Sequence, residues 1–175
     1  MTEATRTVWA GKYVVAKTQG RWEFVSRANN IDAAVIVAVD QGDVILVEQP
    51  RVPLGGTCLE LPAGLVGDID PGESVAASAA RELEEETGYR AGRIEVIGRF
   101  ASSPGMLSET FTLVRARDLV RVGDGGGDAH EEITVHRVPL ADVAAFVDAR
   151  RADGVFIDAK LLLLLGSTIL GPAAD

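Results

Sequence analysis

Between Gly67 and Tyr89 the chain holds Glu73, Arg81, Glu82, Glu85, Glu86 and Gly88 in the pattern Gly-x5-Glu-x7-Arg-Glu-Leu-x-Glu-Glu-x-Gly-Tyr. On a helix, Glu82 and Glu86 stand one turn apart on one face and Glu85 flanks them. Like charges at that separation repel, and anions near a helix C-terminus oppose its dipole. The cluster therefore calls for a positive partner. Arg81 is placed to pair with Glu85 across one turn and to reach back to Glu73, but one guanidinium does not balance the set. A hard divalent cation with oxygen ligands, Mg²⁺ or Mn²⁺, is the natural counter-charge. The competing reading is a solvated acidic face, which suffices for Glu84 alone.

Positioning such a cluster takes a helix with a buried stripe. Ser74 is an N-cap candidate, the interior is Ala-rich, and Gly88 suits a left-handed C-cap, which predicts a helix over 74–87. Val75, Ala79 and Leu83 recur four apart and make its apolar side. Before it, Val8–Lys17 has a strand-like composition and Trp22–Arg27 alternates. Ala33–Val39 and Asp43–Glu48 flank a hairpin signal at Asp40-Gln41-Gly42, and Thr57–Leu61 leads to a break at Pro62-Ala63-Gly64. After it come strand patterns at Arg93–Ala101 and Thr110–Arg117. Helix patterns follow at Leu140–Arg150, with Val143, Phe146 and Val147 inward, and at Ile157–Ile169, whose leucines read as core. Strands on both sides of one helix, with two more helices at the end, predict an α+β sandwich.

The Gly67–Tyr89 stretch resembles the Nudix box, the signature of hydrolases that cleave a nucleoside diphosphate linked to another moiety; Tyr89 stands where that pattern usually has a bulky aliphatic residue. The resemblance implies a Nudix-like α/β/α sandwich with a mixed sheet and a small N-terminal antiparallel sheet. Residues 1–30 would be an N-terminal β region serving dimerisation, and 31–175 the hydrolase domain. It implies Glu82, Glu85 and Glu86 as metal ligands, with Arg81 and Glu73 bracing the loop-helix-loop.

Gln49-x-Arg51 and Leu61-Pro-Ala-Gly64 are similar to elements of nucleotide-sugar members of the family, which would put Arg51 on a phosphate and the Ala63 carbonyl on the metal. Here the loop between Gly64 and the first box glycine, Gly67, is longer by three residues. Ser103-Pro-Gly105-x3-Glu109 resembles the marker of ADP-ribose pyrophosphatases. In that reading Ser103 and Gly105 line the site, and Glu109 meets a ribose hydroxyl; a tight turn with a surface carboxylate is the alternative. Glu131 is the first choice for the acid that activates water, with Glu132 and Asp128 next and Glu85 also among the catalytic candidates. Trp22, Glu23, Arg27 and Leu65 complete the substrate-binding set, with Trp22 or Tyr13, in one arrangement from a partner chain, offered to the base.

The expected reaction is hydrolysis of ADP-ribose to AMP and ribose 5-phosphate, by a homodimer using Mg²⁺ or Mn²⁺. GDP-mannose or another nucleotide sugar is the alternative substrate, and a non-catalytic nucleotide-sugar-binding module the alternative class. Composition narrows the field further. The 175 residues are 47% hydrophobic, enough for one full core, and the net charge of −9 repels a nucleic-acid polymer. Cys58 is the one cysteine, which excludes an intrachain disulfide; it reads as a buried thiol in a reducing, cytoplasmic setting. No stretch has the length to span a bilayer or the layout of a secretory signal. Gly123–Gly127 reads either as a flexible connection or as a hinge for the acid that follows. His130 and His136 are surface and strand residues rather than ligands.

Overall fold

The computed structural model describes residues 3–29, 31–67, 70, 72–127 and 131–170. The elements in chain order are β1 (Arg6–Ala10), β2 (Val14–Gln19), β3 (Trp22–Arg27), β4 (Ala33–Asp40), β5 (Asp43–Arg51), β6 (Gly56–Glu60), β7 (Ala63–Leu65), α1 (Val75–Thr87), β8 (Tyr89–Ala101), β9 (Thr110–Arg121), β10 (Thr134–Pro139), α2 (Val143–Ala152), β11 (Phe156–Ile157) and α3 (Leu162–Leu170).

The first three strands form an antiparallel sheet of their own in the order β1-β2-β3. Val8–Lys17, read from composition as a single strand, is instead a hairpin, because the chain turns at residues 11–13 and the Gly11 N–H donates to the Val14 carbonyl at 2.9 Å. Strand β3 ties this sheet to the rest. The Val25 N–H donates to the Met106 carbonyl at 2.9 Å, the Ser108 N–H donates to the Val25 carbonyl at 2.9 Å, and Arg27 pairs with Glu109.

The main sheet is mixed and runs β11-β6-β5-β4-β9-β8, with β10 added on β5 and β7 on β4. Its centre is the β4–β5 hairpin, which pairs only at Val39↔Val44 and Asp40↔Asp43 before the two strands part. Beyond that point β4 pairs parallel to β9 and antiparallel to β7, while β5 pairs with β6 and β10. Pro62–Gly64, expected to break the strand, does so only in part: Pro62 accepts from the Ile36 N–H at 2.8 Å and Ala63–Leu65 then pair with β4.

Alternation along the strands sorts the core into two layers. Ala34, Ile36, Ile45 and Val114 pack with Ala79 and Leu83 of α1. Val35, Val44, Leu46 and Leu113 pack with Val143 and Val147 of α2, and with Leu161 and Leu165 at α3. The result is a sheet between one helix and two, the sandwich expected from sequence. The last helix is less buried than its composition suggests. A 3₁₀ segment, Ala159–Leu161, precedes it, and Leu162 and Leu163 are more than half exposed, because a helix lying on a sheet offers only one stripe to it. Among the described residues no helix is long and apolar enough to cross a membrane.

Candidate active site

Helix α1 carries the acidic cluster because its ends and its inner face are fixed independently of the charges. The Ser74 hydroxyl accepts from the Ala77 N–H at 3.2 Å, and Gly88 closes the helix in the left-handed conformation, its N–H donating to the Glu84 carbonyl. Ala79 and Leu83 are fully buried. The expected brace is present: Arg81 lies 3.5 Å from Glu73, 3.0 Å from Glu82 and 2.9 Å from Glu85, and the buried Ser78 hydroxyl donates to Glu73. Glu84 lies at the solvent-facing surface, as expected, with Arg90 on both its oxygens at 2.8 Å.

The three box carboxylates have different surroundings. Glu86 is only 3% exposed, and the Ala63 N–H donates to its Oε2 at 3.1 Å. Glu82 lies against Gly64 so closely that a Cβ at that position would overlap its carboxylate. Glu85, with a side chain 47% exposed, is drawn to Arg81. Glu82 and Glu86 line one cavity of about 370 Å³ together with Glu131, Arg27, Arg51 and the segment Ala63–Leu65; Glu85 is not in its wall. Arg51 is held there by Glu60, with Nε donating to Oε1 at 2.6 Å and Nη2 to Oε2 at 2.8 Å.

The remaining substrate-binding candidates fall into neighbouring depressions. Glu109, through its pair with Arg27, lines a small cavity of about 120 Å³ that also takes Asp32 and Arg99, two residues the sequence reading did not single out. Arg99 donates to Asp32 at 3.2 Å and to Thr110 at 2.8 Å. Trp22 and Gly105 meet in a separate depression, and Glu23 lies in another beside Val8 and Val25. The Ser103 carbonyl accepts from the Met106 and Leu107 N–H groups at 3.0 and 2.8 Å, shaping the loop that carries Gly105. Glu132 is exposed, and Asp128 and His130 lie outside the described residues. His136 sits on β10 with Nε2 3.1 Å from Glu48, and Cys58 is buried, its thiol pushed up to about 12 chiefly by desolvation.

The glycine-rich stretch 123–127 is exposed at residues 123–125 and tied down at its end. Its amides close the end of α1: the Gly126 N–H donates to the Glu86 carbonyl at 2.8 Å and the Gly127 N–H to the Glu85 carbonyl at 3.0 Å. Val122 and Gly123 donate to the Gly88 carbonyl at 2.8 and 3.2 Å. Sequence flagged the glycines but not their partner, because helix capping by a segment so remote along the chain leaves no local pattern.

Electrostatically the cavity is unbalanced. Burial, then the Glu82 and Glu131 carboxylates, push Glu86 up to about 8, against the opposing Ala63 N–H and Arg51. Among the described residues no three His, Cys, Asp or Glu side chains stand close enough as they are to hold a cation. The donor set nonetheless suits one. Glu82 and Glu86 offer only oxygen, and Glu86, raised chiefly by burial and next by the Glu82 and Glu131 carboxylates, would be favoured in its charged form by a hard divalent ion.

Residues 29–161 match the profile of the NUDIX domain. A protein of Bacillus subtilis (strain 168) named ADP-ribose pyrophosphatase is 37% identical over 118 residues, which cover 67% of this chain and 62% of that protein. A Mus musculus ADP-sugar pyrophosphatase is 34% identical over 160 residues, covering 80% of this chain and 70% of the relative. A crystal structure described as that of an ADP compounds hydrolase superposes with a TM-score of 0.71 at 25% identity, over 98% of this chain and 94% of the other. The chain thus spans less than two thirds of the Bacillus relative's length.

Proposed function

This chain belongs to the Nudix family, and on that premise we propose that it is a divalent-metal-dependent hydrolase of nucleoside diphosphate sugars, cleaving ADP-ribose to AMP and ribose 5-phosphate. The observation that carries the reading is the single cavity where Glu82, Glu86 and Glu131 meet Arg27 and Arg51. A diphosphate needs positive charge along its oxygens and a base beside it, and this wall offers both.

In this reading Glu82, Glu85 and Glu86, with the Ala63 carbonyl, hold Mg²⁺ or Mn²⁺. Such an ion supplies Lewis acidity and neutralises the diphosphate when bound. Arg51, kept in place by Glu60, and Arg27, kept in place by Glu109, orient the phosphates. Glu131 accepts the proton of the attacking water as a new P–O bond forms and the bridging P–O bond breaks, the bridging oxygen leaving with the other phosphate. Glu132 and Glu85 are the alternative acids for that step. Leu65, Ser103, Gly105 and Glu109 shape the sugar side. Trp22 and Glu23 stand outside the cavity, and a partner chain's N-terminal sheet would be the route by which they serve a base.

That sheet supports the dimer reading for residues 1–30. Val8, Trp9, Tyr13 and Trp22 are 61%, 58%, 69% and 53% exposed, apolar side chains distributed over both faces of the sheet that a second copy wrapped on it would cover. The test is to incubate the protein with ADP-ribose and GDP-mannose, each with Mg²⁺, Mn²⁺ or a chelator. AMP released from ADP-ribose only with metal supports the reading. Tight nucleotide binding with no turnover under any ion would favour a binding module instead.

A further inference from the structure

We propose that Gly125–Gly127 form a positioning element that staples the segment carrying Glu131 to the last turn of α1, and that Gly127 sets the placement of the Glu131 carboxylate. What Glu131 does rests on the hydrolase reading; what the glycines do rests on geometry.

A helix ends with carbonyls that lack partners, and water usually serves them. Here the carbonyls of Glu85 and Glu86, two members of the acidic cluster, accept instead from Gly127 and Gly126. Donors at that end also offset the negative pole of the helix beside the carboxylates. The approach is too close for side chains. A Cβ at Gly125 would stand 2.6 Å from the Glu86 carbonyl oxygen and 2.7 Å from the Gly88 nitrogen, backbone atoms that cannot yield. A Cβ at Gly127 would stand 2.7 Å from the Cβ of Glu131 and would overlap its carboxylate. Both residues, with φ of 70° and 80°, lie in the left-handed region that side chains rarely adopt.

From the other side Arg121 donates to the Gly123 carbonyl at 3.2 Å and to Asp124 at 3.1 Å. The far side of the stretch opens on a cavity of about 570 Å³, lined by Gly125 and Gly126 together with Tyr89, Arg121 and Arg137. The hydrogen bonds to α1 hold Gly126 and Gly127 back from that space, and the Glu131 side chain rests against Gly127. Gly127 is a positioning residue: it acts through Glu131.

Gly127→Ala should lower kcat on the order of 10²-fold, as a misplacement of about 1 Å does, with KM and Mn²⁺ affinity unchanged. In an E131Q background the same change should add no further loss. Gly123→Ala, where a Cβ meets nothing within 4 Å, should turn over like the unmodified protein. Wild-type kcat in Gly127→Ala, a full additional loss in the E131Q background, or a parallel rise of KM and metal Kd would overturn the proposal. Amide hydrogen exchange on the unmodified protein decides the staple whether or not the variant folds. Gly126 and Gly127 should be as protected as the last turn of α1, and fast exchange there refutes it. An unmodified protein that hydrolyses no nucleoside diphosphate sugar would count against the hydrolase reading, while the exchange result still judges the staple.

Discussion

The Ala63 backbone N–H donates to Oε2 of Glu86 at 3.1 Å, so the short strand β7 and the acidic face of α1 are joined at the most buried carboxylate of the cluster. One oxygen of Glu86 is thereby oriented, although the group is nearly out of water and has two carboxylates as neighbours.

That environment predicts a pH dependence. The folded-state value of Glu86, about 8, lies above its ordinary value of 4.5, so the fold binds this proton more tightly than the unfolded chain does. Its contribution to stability is complete below pH 4.5 and is lost as pH rises through about 8. Thermal melts with a chelator across that window should fall more steeply for the unmodified protein than for Glu86→Gln. Added Mg²⁺ should flatten the fall. Parallel curves for the two proteins would remove the assignment.

The same substitution should damage turnover while it spares the fold. Glu86→Gln keeps shape and the acceptor for Ala63 but removes a charge from the proposed metal site, so the rate should drop by about a hundredfold or more. Steady-state assays beside denaturant melts in chelator would show activity lost and stability kept or raised.

Arg51→Ala leaves Glu60 only 6% exposed and without its two hydrogen bonds. Because the arginine is itself partly exposed, the expected destabilisation is moderate, about 1–3 kcal/mol. KM should rise as well if the guanidinium orients a phosphate. Urea titration together with initial rates separates the two effects, and an unchanged KM would restrict Arg51 to a structural role.

Leu83→Ala tests the platform beneath the carboxylates. The side chain is fully buried against β4 and β9, and its loss should cost about 2–5 kcal/mol. Activity per folded molecule should change far less than stability.

Much of this was legible in the chain beforehand. The period of α1, its Ser74 and Gly88 ends, and the Arg81 pairs are all local, and the structure has them where the spacing put them. The β4–β5 hairpin and the layers of the sandwich follow from alternation. What composition could not show depends on partners far apart in sequence. The turn inside Val8–Lys17 lacks a proline or a paired Asn-Gly to announce it. The exposure of Leu162 and Leu163 depends on which stripe of the helix meets the core, and the docking of 123–127 on α1 depends on topology. For the same reason Asp32 and Arg99, which meet only across strands, went unremarked.

The early parting of β4 from β5 makes the pair a fork. Its crotch is at Asp40 and Asp43, and its tines end near Ala33 and Arg51, both in the wall of the carboxylate cavity. Arg137 clasps the crotch at Asp40 and Asp43 at 3.2 and 2.6 Å, while at the tips β4 is held by β7 and β9 and β5 by β6. The mouth thus opens between two backbones that are each anchored by strand pairing on the outer side.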